Sequence, residues 1–200
     1  RKIPPNLHFK LFVCPEFKAF INEIIPHKFP CIKNDETRLL IPFIDSNKKV
    51  HALQGRSMKN STVKYITIIL DADIPKIYGL DTVKFNHKVF VFEGPIDSMF
   101  IENSIATAGG DIVSALDGYS KDKLIIVYDN EPRSKETIKK IDKAIELGYN
   151  VCIWPDYIQH KDVNEMIMFG MSSEKIKNII NSNTFNGLNA KLALVKWSKL

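Results

Sequence analysis

The chain has 200 residues, 44% of them hydrophobic and 26% charged, with a formal net charge of +5 at pH 7. A chain of this length buries about 70% of the surface its unfolded form exposes, enough for one compact domain or two small lobes. No run approaches the ~18 apolar residues of a membrane span, and the opening Arg1-Lys2-Ile3-Pro4-Pro5 lacks the apolar stretch of a signal peptide, so a soluble intracellular protein is expected.

Prolines concentrate in the first 42 residues, and no repeat or low-complexity tract stands out. Cys14, Cys31 and Cys152 are too few and too scattered for a disulfide framework and are expected to be reduced. His27 and Cys31 have the i,i+4 spacing of metal ligands, but Pro26 and Pro30 break a helix there, and no zinc site is expected. The apolar run Arg38 to Ile44, the polar turn Asp45-Ser46-Asn47-Lys48 and the stretch Val50 to Gly55 predict a β-hairpin. Lys64 to Leu70, rich in β-branched residues, predicts a third strand, so the first ~80 residues form a small α+β lobe.

From Lys88 the texture becomes βα alternation. Val89 to Phe92 predicts a strand, Asp97 to Glu102 begins a helix, and Ile105 to Thr107 predicts a short strand. Gly109 and Gly110 mark a tight loop before a helical stretch over Ile112 to Leu116. Leu124 to Tyr128 is continuously apolar, as a parallel strand covered on both faces is. Ser134 offers a helix N-cap, Ile138, Ile141 and Ile145 recur at helical spacing, and Gly148 is the stop. Val151 to Trp154 predicts another buried strand. Helical segments follow at Val163 to Phe169, Glu174 to Asn181 and Leu188 to Lys199, the last amphipathic, with Trp197 packed and Lys191, Lys196 and Lys199 solvated. The fold class is α/β, a parallel-rich sheet with flanking helices behind a small α+β lobe.

In open α/β sheets functional groups collect at the carboxyl ends of the strands. Glu93 and Asp97 follow the first of these strands, Asp129 and Glu131 the next, and Asp156 and Asp162 the last. Singly, each acid reads as a helix cap or a solvated loop residue. Acids after three successive buried strands exceed what capping requires, and clustered carboxylates call for a hard divalent cation, Mg2+ or Mn2+. Two such ions stabilise both the attacking and the leaving oxygen of a phosphoryl transfer. The positive net charge fits a polyanionic partner.

Glu93-Gly94-Pro95-Ile96-Asp97 followed by Asp129-Asn130-Glu131 resembles the Toprim signature, an E-G-x-x-D segment and a later D-x-D strand end, with Glu131 in place of the second Asp and Pro132 after it. Toprim domains occur in DnaG-type primases, type IA and II topoisomerases, small nucleases and RecR-like repair proteins. The segment ahead of the signature selects among them. Arg38 to Phe43, Gly55-Arg56, Lys64-Tyr65 and Tyr78-Gly79-Leu80 resemble, in order and spacing, the amino-terminal lobe of the DnaG polymerase core. Lys161-Asp162-Val163-Asn164-Glu165 is similar to a stretch common in phage primases. The likeness is strongest to the separate primase subunits of large tailed phages.

The resemblance implies an amino-terminal basic lobe over residues 1–85, a Toprim catalytic domain over 86–170 and a helical segment over 171–200. It implies RNA primer synthesis with Glu93, Asp129 and Glu131 as catalytic residues, and with Glu93, Asp97, Asp129, Glu131 and Asp162 holding two or more Mg2+ or Mn2+ ions. Arg56 and Lys64 match the basic residues that contact nucleotide or primer phosphate. The implied partners are single-stranded DNA, ribonucleoside triphosphates, the RNA–DNA hybrid product and a replicative helicase, in the cytoplasm of an infected bacterium. A start at Arg1 rather than Met is expected of a fragment, with zinc-binding or helicase-binding segments outside it. The competing expectations are a Toprim nuclease and a non-catalytic RecR-like DNA-binding module.

Overall fold

The computed structural model describes residues 2–59 and 61–200. The chain divides into two units, Pro5–Lys76 and Ile77–Leu200.

In the first unit a 3-10 turn, Pro5–Lys10, precedes β1 (Phe12–Cys14), α1 (Phe17–Ile24), β2 (Arg38–Ile44), β3 (Val50–Ser57) and β4 (Tyr65–Ile69). The strands form an antiparallel sheet in the order β1-β2-β3-β4. The predicted hairpin is β2 and β3. Its turn closes through Asp45, whose carboxylate accepts from the Lys49 N–H at 2.8 Å, and a register shift falls between Phe43 and Ile44. Helix α1 sets Phe17 and Ile21, one turn apart, against Cys14, Leu40, Leu53 and Ile68, which form the core of this unit. Gly55 permits that packing, because a Cβ there would run into the Phe17 ring. β1 and α1 escape sequence reading: three residues of which only Cys14 is buried show no alternation, and eight helical residues hold barely two turns of period.

The second unit contains β5 (Val89–Phe92), α2 (Pro95–Ser98), β6 (Ser104–Ala106), α3 (Ile112–Ala115), β7 (Leu124–Val127), α4 (Lys135–Glu146), β8 (Asn150–Cys152), α5 (Val163–Met168), α6 (Ser173–Ser182), β9 (Thr184–Phe185) and α7 (Gly187–Trp197). The sheet order is β6-β5-β7-β8-β9; the first four strands are parallel and β9 runs antiparallel on the edge. β5 and β7 are buried at every position, as their unbroken apolar sequence predicts for a sheet covered on both faces. Tyr78 belongs to this unit and bridges Ala106 on β6.

Helix α4 follows its sequence signals closely. The Ser134 hydroxyl accepts from the Thr137 N–H at 3.2 Å, Ile141 and Ile145 are buried, and Gly148 takes the left-handed conformation (φ 84°) that ends the helix. Several predicted boundaries shift, and the helix expected over Asp97 to Glu102 ends already at Ser98. The helix expected from Asp97 begins at Pro95, whose fixed φ and missing N–H suit the first helical position. The strand expected over Val151 to Trp154 runs as Asn150–Cys152, and the Ile153 N–H that follows donates to the Asn183 carbonyl at 2.9 Å in the register of the β8–β9 pairing. The two-residue β9 is too short to announce itself.

Candidate active site

The carboxyl ends of β5 and β7 and the loop before α5 bring the expected acids to one rim of the sheet. Glu93 follows β5 directly. Asp97 lies one turn into the short helix that Pro95 starts, and its Oδ1 accepts from the Asn164 N–H at 2.9 Å. Asp129 and Glu131 stand in the loop between β7 and α4. Asp162 is the N-cap of α5, its Oδ1 accepting from the Glu165 N–H at 2.7 Å. Asp162 thus caps its own helix, whereas Asp97 binds the backbone of α5 rather than capping α2, and the charges of both act on Asp129.

The electrostatics record that convergence. Asp129 is pushed up to about 7, first by burial and then by the negative charges of Glu93, Asp97 and Asp162, with Lys161 opposing. Glu93 is raised as well, chiefly by burial, while Lys140 on α4 pulls the other way from 3.8 Å and Glu131 and Glu136 add to the rise. Lys161 stands 2.7 Å from Glu131 and 4.0 Å from Asp129, and its own ammonium is held above the ordinary lysine value, mainly by the hydrogen bond to Glu131.

All donors on this rim are oxygens, and their charges repel, which suits a hard divalent cation. As the side chains stand, no three histidine, cysteine, aspartate or glutamate groups among the described residues close on a common point as a metal centre does. The donor chemistry fits a hard divalent cation, but coordination would require the carboxylates to draw together and Lys161 to leave Glu131.

Asn130 is the residue that sequence reading passed over. Its N–H donates to the Lys161 carbonyl at 2.6 Å and its amide to the carbonyls of Ile158 (2.9 Å) and His160 (3.1 Å). Its Oδ1 accepts from the Trp197 indole at 3.0 Å. One side chain thus ties the Asp129–Glu131 loop to the loop carrying Lys161 and Asp162, and α7 to both. Trp197, 4% exposed, is packed as expected. The only sequence signal for this knot was the amide between the two acids.

In the first unit, Arg56 on β3 and Lys64 just before β4 meet over one ring. The Arg56 guanidinium lies 5.5 Å and the Lys64 ammonium 5.7 Å from the Tyr65 centroid. Arg56 Nε is buried with no hydrogen-bond partner. Arg38, 3% exposed, braces the site from behind: its guanidinium donates to the carbonyls of Gly55 (3.0 Å), Lys64 (3.4 Å) and Val63 (2.9 Å) and pairs with Glu36. Sequence reading found both cations but neither the shared ring nor the buried arginine beneath them.

The chain is 38% identical to the DNA primase of Enterobacteria phage T4 over 203 residues, covering all of this chain and 58% of that protein. Among solved structures it matches the Aquifex aeolicus primase (zinc-binding and RNA polymerase domains) with a TM-score of 0.64 and 21% identity, over 92% of this chain and 54% of that one. The chain has the fold of a DnaG-type primase core. A DnaG primase catalytic domain bound to single-stranded DNA also matches, with a TM-score of 0.54 and 18% identity over 74% of this chain and 54% of that one. The chain spans a little over half the length of the relatives it matches. No protein-family model matches it. The expected α/β class, a parallel-rich Toprim-like sheet with flanking helices and a small α+β lobe before it, is the observed one.

Proposed function

We propose that this chain is the catalytic core of a phage primase, joining ribonucleotides into short RNA primers on single-stranded DNA. The observation that carries the reading is the rim of five carboxylates, Glu93, Asp97, Asp129, Glu131 and Asp162, where burial and then the charges of Glu93, Asp97 and Asp162 raise Asp129 to about 7, in a chain related to a phage DNA primase.

Bound Mg2+ or Mn2+, two ions or more, supplies the charge neutralisation that a triphosphate and its leaving pyrophosphate need. The chain's own residues do the rest. Asp97, Asp129 and Asp162, with Glu131 once Lys161 has moved, are the carboxylates that hold the ions. Glu93, raised chiefly by burial, either joins that ligand set or takes the proton from the 3′-hydroxyl as its oxygen bonds the α-phosphorus and pyrophosphate departs. Arg56 grips phosphate oxygens through its planar fork, and Lys64 adds a point charge. Residues 1–85 carry the phosphate-binding work and 86–170 the chemistry, with 171–200 supporting the rim through Trp197.

The partners that follow are a single-stranded template, ribonucleoside triphosphates, the hybrid product and a replicative helicase, in the cytoplasm of an infected bacterium. No helix among the described residues is long and apolar enough to cross a membrane. The test is incorporation of labelled ribonucleotide on single-stranded DNA with and without Mn2+ or Mg2+. Metal-dependent primers are expected; nicking of the DNA without incorporation would instead establish a nuclease, and DNA binding with neither activity a binding module.

A further inference from the structure

The end of the parallel sheet away from the carboxylates carries a second charged feature. Lys84, His87 and Lys88 lie in the loop that leads into β5, and Lys177 stands on α6 with its ammonium 5.9 Å from the Phe90 centroid. With Asn103 and Asn181 they line a cleft of about 660 Å3. The one acid on its wall, Glu102, pairs with Lys177 at 3.0 Å, and Lys84 acts on it more weakly. Lys84 and Lys88 form no ion pair among the described residues.

The cleft wall is built rather than loose. Asn103 adopts the left-handed conformation (φ 55°), and its amide binds three backbone groups of the loop: the Lys84 N–H at 2.7 Å and the carbonyls of Lys84 (3.1 Å) and Lys88 (2.7 Å). Lys123 holds the Asn86 carbonyl at 2.7 Å. Phe85, in the same loop and 39% exposed, lies against Tyr119 with ring centroids 5.0 Å apart. An anchored recess in which Lys84 and Lys88 form no ion pair among the described residues, with the half-exposed Phe85 carried by the same loop, is a combination that tracks a single-stranded backbone and stacks a base. It lies at the opposite end of β5 from Glu93, and a four-residue strand spans about 13 Å at ~3.3 Å per residue. It therefore stands apart from the reacting groups.

We propose that this cleft binds the sugar-phosphate backbone of single-stranded nucleic acid, as an anchoring surface separate from the site of synthesis. The cations sit on two elements, the loop and α6, and Phe85 belongs to the same loop. Cations spread over two elements match the repeating charge of a strand.

The test is the salt dependence of binding to a fluorescent single-stranded oligonucleotide, measured by anisotropy for the parent, for Lys84→Ala/Lys88→Ala, and for the exposed control pair Lys139→Ala/Lys175→Ala, with thermal melts on each. Two lost phosphate contacts lower the slope of log K against log salt by about 1.4 in the first variant, while the control slope stays at the parent value. Phe85→Ala should weaken binding without changing the slope. Equal slopes for the two lysine pairs overturn the proposal. So does a loss of nucleoside triphosphate binding, measured without DNA, in place of oligonucleotide binding. Primer synthesis at saturating template is expected to be unchanged in Lys84→Ala/Lys88→Ala; a parent protein that makes no primers would overturn the primase reading while leaving the slope result to decide this one.

Discussion

Lys161 reaches from the loop before α5 to within 2.7 Å of Glu131, so the acidic rim carries a cation of its own. The ammonium offsets part of the repulsion among the carboxylates and occupies an oxygen that a divalent ion would use. Two opposed effects follow for Lys161→Ala. Without divalent ions the variant should melt lower at pH 8, by about 1 kcal/mol or less, because the lysine is half exposed and exposed pairs contribute little. Titration with Mn2+, followed by the melting temperature, should show tighter binding than in the parent. If neither quantity moves, Lys161 is a bystander.

Asp129 sets the pH dependence. Its folded-state pKa of about 7 lies above the ordinary aspartate value, so the native state holds a proton that the unfolded chain releases, and stability is lost as pH rises from about 4 through 7. Asp129→Asn removes that loss. The variant should be more stable than the parent at pH 8 by about 2 kcal/mol, roughly half of what the full shift converts to, since the side chain keeps 30% exposure. The difference should vanish near pH 4. Primer synthesis should disappear even though the melt improves, and full synthesis by the variant would remove Asp129 from the catalytic set.

Arg56 should serve phosphate binding rather than stability. Arg56→Ala gives up a stack on Tyr65 and no hydrogen bond at Nε, so the melt should change by less than about 1 kcal/mol. A charge-assisted bidentate contact contributes roughly 1.5 to 3 kcal/mol, so the nucleotide concentration needed for initiation should rise about tenfold or more. Arg56→Lys should recover only part of this, and Lys175→Ala none of the defect. Unchanged initiation at limiting nucleotide would reassign the amino-terminal unit.

Asn130 should act through alignment. Asn130→Ala deletes three side-chain hydrogen bonds and leaves the Trp197 indole without its acceptor, which should cost about 2 kcal/mol in denaturant melts. The rate at saturating nucleotide should fall while the half-saturating concentration stays near the parent's, because the loop is misplaced rather than the nucleotide site removed. A pure rise in that concentration would make Asn130 a binding residue instead.

The sequence by itself determined the parallel-rich α/β class of the sheet and the acids that follow its strands. Runs such as Val89 to Phe92 and Leu124 to Val127 are apolar at every position because helices cover both faces of a parallel sheet, and such a sheet leaves whatever follows its strands on one rim. Helix α4 was legible for a similar reason, since Ser134, the isoleucine period and Gly148 are local signals that local structure obeys. Tertiary structure decided what no local pattern encodes. β1, α1 and β9 are too short for a period and exist because a neighbouring strand or core accepts them. Gly55 is a glycine because Phe17, 38 residues earlier, lies against it. Asn130, Trp197 and Lys161 meet only once β7, α7 and the loop before α5 are placed, and Asp129 acquires its unusual pKa only when burial and three distant carboxylates surround it. Residue types and strand order are properties of the chain, whereas desolvation and charge proximity are properties of the packed molecule, and the chemistry of the rim depends on the latter.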